Sequence, residues 1–234
     1  MKKLNLYLTL LSINVLLVTV ERFSFTTKII LQPYSFLRLH EIFQMSVIIL
    51  FTVIIPFFVL KDVTNNFAAL KTTRGTLLGL LFLVGIYFYA TGNGLHEVAS
   101  HLFNTFCDTK SITNTLCGSM FFNDYYVGNI LYFIGAFMFT VAIIVFERGN
   151  PNKNFTKKDM LITLGNGVVY AFAIFAYAAF DRVLVGLVYS LVTAFTSIYL
   201  LVSAREKFIR LPYTTYSAFA FTLASVASLL VRLR

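Results

Sequence analysis

Residues 75–94 read GTLLGLLFLVGIYFYATGNG, an apolar run without Asp, Glu, Lys or Arg that ends in a Gly-Asn-Gly triplet. As an α-helix rising about 1.5 Å per residue, a run of this length covers roughly 30 Å, the thickness of a bilayer's hydrocarbon core. A helix on the surface of a soluble domain would carry a charged face, and this one has none. The stretch therefore reads as a membrane span, and the rest of the chain repeats its character.

Working outward, comparable segments lie near 4–20, 42–61, 126–146, 160–180, 183–203 and 213–231, which with 75–94 makes about seven. The fold class this implies is all-α, a polytopic transmembrane helical bundle forming a single integral membrane domain over 1–234. The chain is 58% hydrophobic and 12% charged, far more apolar than one soluble core requires. Long apolar runs rather than alternating ones argue against a β-barrel. The formal charge of +9 reflects basic residues gathered between the spans, and no nucleic-acid motif accompanies it.

Of the 19 Lys and Arg residues, 12 fall at the N-terminus and in the loops after spans two, four and six. The positive-inside rule then selects an N-in, C-out orientation, with the cell membrane the expected location. The first span follows Lys2-Lys3 like a signal sequence, but Val18-Thr-Val-Glu-Arg22 offers no small-x-small cleavage site, so a retained anchor is expected. This orientation places Cys107 and Cys117 together in the outer loop after span three, where an oxidising compartment would allow a disulfide. The Asn154-Phe-Thr sequon falls in an inner loop, where it would go unused.

Small residues mark places where helices can approach closely in lipid: Gly75 and Gly79, the Ala171/Ala173/Ala176 series, and Ala220/Ala224/Ser228. Asn166, inside span five, is expected to hydrogen-bond across helices. Pro56 should kink span two. No inverted repeat relates the two halves, which argues against transporter folds built on one.

Counting about 20 residues across from the basic loops brings His40, Glu41, His96, Glu97, His101, Asp124 and Asp181 to one outer layer. Ionisable residues gather at helix ends in any membrane protein, so shared depth alone does not make a site. All three histidines lie in this layer, however. His40, His96, His101 and Asp124 are the candidate metal ligands, with zinc the expected ion because nitrogen and oxygen donors with an open position activate water. Glu97 and Asp124 are the candidate general bases. Asn93, Ser100, Tyr125 and Asn129 would contact substrate. The Gly92-Asn93-Gly94 triplet is expected to break or cap the helix, aiming backbone N–H groups at an anionic group.

The functional expectation is a metal-dependent hydrolase acting on a lipid-like substrate at the outer interface, with membrane lipid as its partner and no nucleic acid. The alternatives are a non-catalytic transporter or small-molecule binding protein using the same polar layer, and a structural membrane protein. The seven spans with His, Ser and Asp near one interface bear comparison with the membrane hydrolases that include the alkaline ceramidases. Those enzymes pair a Ser-x-x-x-His motif and an Asp with a His-x-x-x-His motif in the last helix. Here His96 and Ser100 reverse the first spacing, and spans six and seven contain no histidine. The likeness is confined to one spacing and one aspartate.

Overall fold

The computed structural model describes residues 3–112 and 114–234. Among the described residues nine α-helices follow in order: α1 (Lys3–Val20), α2 (Leu39–Phe43), α3 (Ile49–Val63), α4 (Thr73–Phe106), α5 (Thr115–Phe122), α6 (Asn129–Gly149), α7 (Lys157–Phe180), α8 (Val185–Val202) and α9 (Pro212–Arg232). Short π-helical stretches at Gln44–Ile48 and Asn123–Gly128 join α2 to α3 and α5 to α6, so these pairs cross as continuous rods. Among the described residues seven helical segments are long and apolar enough to span a membrane, as expected for an all-α bundle. Among the described residues the β pairing amounts to a single bridge between Ile30 and Arg38.

The span reading of 75–94 falls short at its far end. The helix runs without interruption through Gly92, Asn93 and Gly94 to Phe106, and Thr72 caps its start by accepting from the Gly75 amide at 3.0 Å. The triplet neither breaks nor ends it. Glycine does weaken an isolated helix by about 1 kcal/mol, but here the missing side chains are what let α6 come close. A Cβ on Gly92 would lie 2.2 Å from the Tyr132 amide nitrogen, and one on Gly135 would lie 2.3 Å from that of Tyr89. Gly85 faces the Gly135 carbonyl and Gly128 faces the His96 backbone in the same way. The pairing of 85 with 135 and of 92 with 128 shows that α4 and α6 run antiparallel with backbones in contact. In lipid, where apolar side chains gain nothing by leaving the solvent, such close backbone packing is a main source of helix association.

The glycines singled out from sequence have another use. A Cβ on Gly75 would strike the Ala69 carbonyl, and one on Gly79 would touch Leu70, both in the turn that precedes α4. The alanine series do sit at helix seams. Ala171 and Ala173 of α7 and Ala220, Ala224 and Ser228 of α9 are buried, whereas Ala176 lines a cavity described below. Ser190 and Ser225 share a 2.7 Å hydrogen bond between α8 and α9.

α1 is bound into the bundle by a polar seam with α7. Asn166 donates to the Thr9 hydroxyl at 2.8 Å, the interhelical bond expected of it, while Thr163 donates to Asn5 Oδ1 at 2.8 Å. Ser12 Oγ lies 2.7 Å from the Tyr216 hydroxyl and so ties α1 to α9 as well. Cys107, which caps α4, and Cys117 in α5 are joined by a disulfide with 5.7 Å between their Cα atoms. The hairpin between α4 and α5 is thereby stapled, as the sequence allowed.

Candidate functional site

Two ionic clusters form at the histidine-bearing end of the bundle, on opposite sides of α4. The first is buried. Glu21, in the turn that follows α1, accepts from His40 Nδ1 of α2, and it also takes hydrogen bonds from Thr26 Oγ1 and from Ser24 Oγ at 3.1 Å. Gln44 Nε2, at the start of the first π-helical stretch, reaches Glu21 Oε2 at 3.2 Å. The far nitrogen of His40 stands 3.8 Å from Glu97 Oε2 of α4, so one imidazole lies between two buried carboxylates. Arg38 is paired with Glu41 at the rim of this cluster.

The second cluster faces α6. His96 Nδ1 is 3.2 Å from the Asp124 carbonyl oxygen, and His96 Nε2 is 3.1 Å from a guanidinium nitrogen of Arg22. A carbonyl only accepts and an arginine only donates, which fixes a neutral ring with its proton on Nδ1. Asp124 Oδ1 lies 2.8 Å from the same Nδ1, so the carboxylate and the carbonyl of Asp124 both face that nitrogen. Asp124 belongs to the second π-helical stretch. Such stretches shift the side-chain register of a helix and often sit at functional sites.

His101 goes elsewhere. It is buried, and its Nε2 donates to the Ser35 carbonyl at 3.1 Å. On a continuous helix His96 and His101 point about 140° apart, while Glu97 and His101 share the face toward the segment between α1 and α3. Among the described residues no three His, Cys, Asp or Glu side chains converge as a metal ligand set. The proposed combination of His40, His96 or His101, and Asp124 is not assembled, because each histidine is held by a different partner.

The second cluster opens into a cavity of about 740 Å³ bounded by the end of α1, α4, the second π-helical stretch and α7. His96, Ser100, Asp124, Tyr125 and Asn129 from the sequence-derived set line it. His40, Glu97 and His101 lie outside it, as does Asn93, which is buried with an unpartnered side-chain oxygen. The cavity adds Arg22, Asp181 and Arg182. Arg22 stacks on the Tyr177 ring at 5.0 Å and Arg182 on the Tyr125 ring at 5.6 Å. Asn129 Nδ2 reaches Asp181 Oδ2 at 3.5 Å. Burial pushes the Asp181 carboxyl above its ordinary value, against the pull of the Arg182 amide and of Arg22.

Glu21 and Arg22 are the residues that sequence reasoning left out. Their signal was present, since span one counted outward ends at the same depth as His40 and His96. Arg182 has a second role. It also lines an apolar groove of about 680 Å³ between α6 and α8, walled by Ile130, Ile134, Val188 and Val192. Ile134 and Val188 are exposed along the span, where lipid would meet them. No protein-family model, no curated protein and no solved structure matches this chain.

Proposed function

We propose that this integral membrane protein binds a lipid-like molecule, its acidic head in the polar cavity and its hydrocarbon chain in the groove between α6 and α8. The observation that carries this reading is Arg182, which lines both spaces and stands where a head would join a chain. Arg22 and Arg182 supply the positive charge, and Ser100, Asn104 and Tyr125 supply neutral polar contacts. In the orientation selected by the basic loops, the head site faces outward.

Binding or passage fits the geometry better than hydrolysis. Ser100 Oγ takes a hydrogen bond from Asn104 Nδ2 at 3.2 Å, and both nitrogens of His96 are engaged by Asp124 and Arg22, so His96 is not free to serve Ser100 as a base.

The test is binding of fluorescent phosphatidylglycerol and phosphatidylcholine to the purified full-length chain in detergent. The acidic lipid should bind more tightly. Arg182→Gln should weaken it roughly tenfold or more, the loss of a hydrogen bond to a charged group. Val188→Trp should block the chain while leaving a short-chain acidic head group able to enter. Because burial raises the Asp181 carboxyl above its ordinary value, its charge is lost earlier as pH falls, and acidic-lipid binding should tighten as it is lost. Equal binding of both lipids to wild type and to both variants would remove the reading.

A further inference from the structure

We infer that the head of the bound lipid carries a primary amine beside its acidic groups, as phosphatidylserine does, with Asp181 facing the ammonium and Arg22 and Arg182 facing the phosphate and carboxylate. This deepens the lipid-binding reading above and rests on it. The observation behind it is that the polar cavity holds charges of both signs that do not neutralise one another. Among the described residues neither of these arginines forms an ion pair with a carboxylate, and Asp181 forms none with a basic group.

Each of the three charges is held by neutral partners instead. The Arg22 guanidinium donates to His96 Nε2 at 3.1 Å and lies over the Tyr177 ring. Arg182 donates to the Thr109 carbonyl at 3.0 Å and lies over the Tyr125 ring. Asp181 accepts from Asn129 Nδ2 at 3.5 Å and from the backbone amides of Arg182 and Val183. Such contacts fix where a charge stands without cancelling it, so the desolvation it suffers is offset only when an opposite charge arrives. Asp124, the other carboxylate of the cavity, is buried against the His96 ring, which leaves the half-buried Asp181 as the one a ligand can reach.

Phosphatidylserine matches this set, with an anionic group for each arginine and an ammonium for the carboxylate. Asn129 adds an acceptor. Its amide nitrogen donates to the Tyr125 carbonyl at 3.2 Å and to Asp181, so its Oδ1 is the atom left to take an N–H from the ligand. Phosphatidylglycerol would satisfy the arginines but bring negative charge toward Asp181 with nothing to offset it. Phosphatidylcholine would bring a cation that has no N–H to donate. The carboxylate thus sorts acidic lipids by their amine, whereas arginines alone would rank them by negative charge.

The experiment compares fluorescent phosphatidylserine, its N-acetyl derivative and phosphatidylglycerol, all with the same acyl chains, for binding to the purified full-length chain in detergent. Acetylation removes the ammonium while keeping phosphate, carboxylate and chains, and it requires no change in the protein. Phosphatidylserine should bind wild type roughly tenfold more tightly than either of the others, the gain expected of a hydrogen bond to a charged group. Asp181→Asn should abolish that advantage and leave phosphatidylglycerol binding as tight as before or tighter. An N-acetyl derivative that binds wild type as tightly as phosphatidylserine overturns the inference. So does Asp181→Asn weakening phosphatidylserine and phosphatidylglycerol by the same factor. In either case, phosphatidylglycerol binding above phosphatidylcholine would leave the lipid reading standing alone, and equal binding of those two would remove both.

Discussion

Gly135→Ala should destabilise the bundle by about 3 kcal/mol, the upper end of what one inserted methyl group costs in a packed interior. The new Cβ would stand 2.3 Å from the Tyr89 amide nitrogen and 2.4 Å from the Gly85 carbonyl oxygen. Both obstacles are backbone atoms of a continuous helix, so no rotamer change relieves the clash, and α4 must move away from α6. Gly149, near the end of the same helix, has nothing within 4 Å of an added Cβ, so Gly149→Ala should leave stability within about 0.5 kcal/mol of wild type. Unfolding of the purified protein in mixed micelles of increasing denaturing detergent measures both. The effect should also reach the cavity, because the seam that holds Gly135 against Gly85 holds Gly128 against the His96 backbone. Lipid binding should weaken in Gly135→Ala and persist in Gly149→Ala. Equal stability of the two variants would mean that the helices are not in backbone contact.

The glycine seam also shows what could be read from the sequence and what could not. The spans were legible because bilayer thickness fixes the length of an apolar helix, whatever its neighbours are. The extension of α4 to Phe106 was not, because Gly92-Asn93-Gly94 looks like a helix end to any local rule. Only the antiparallel partner changes its meaning. The pattern was nevertheless present, since Gly85 and Gly92 stand seven residues apart, as do Gly128 and Gly135. The outer layer was legible as a depth but not as an arrangement. Depth brings His40, His96 and His101 level, and side-chain direction then divides them among the turn after α1, the second π-helical stretch and the Ser35 loop. The π-helical stretches compound this, because they change side-chain register at Gln44 and Asp124 with no compositional mark. Glu21 and Arg22 were hidden differently, by following a segment that resembles a signal sequence and so attracted only a question about cleavage.

His40→Leu should cost about 3–5 kcal/mol, because it removes one partner from a buried ionic cluster and leaves the other in place. Glu21 would keep Thr26, Ser24 and Gln44, which donate hydrogen bonds but carry no charge. Glu97, 3.8 Å from the imidazole, would lose the group that separates it from Glu21. Two carboxylates would then share a space from which water is excluded, and each disfavours the other's charge. A pair worth little in itself can still be costly to break, and the double variant Glu21→Gln/His40→Leu distinguishes the two quantities. If the penalty comes from the abandoned carboxylate, removing that charge as well should restore much of the loss, so the double variant should be more stable than His40→Leu alone. The same detergent titration measures all three variants. A His40→Leu protein within about 1 kcal/mol of wild type would show that Glu21 is neutral or hydrated in the folded chain, and that His40 is not needed to hold α2 against the end of α1.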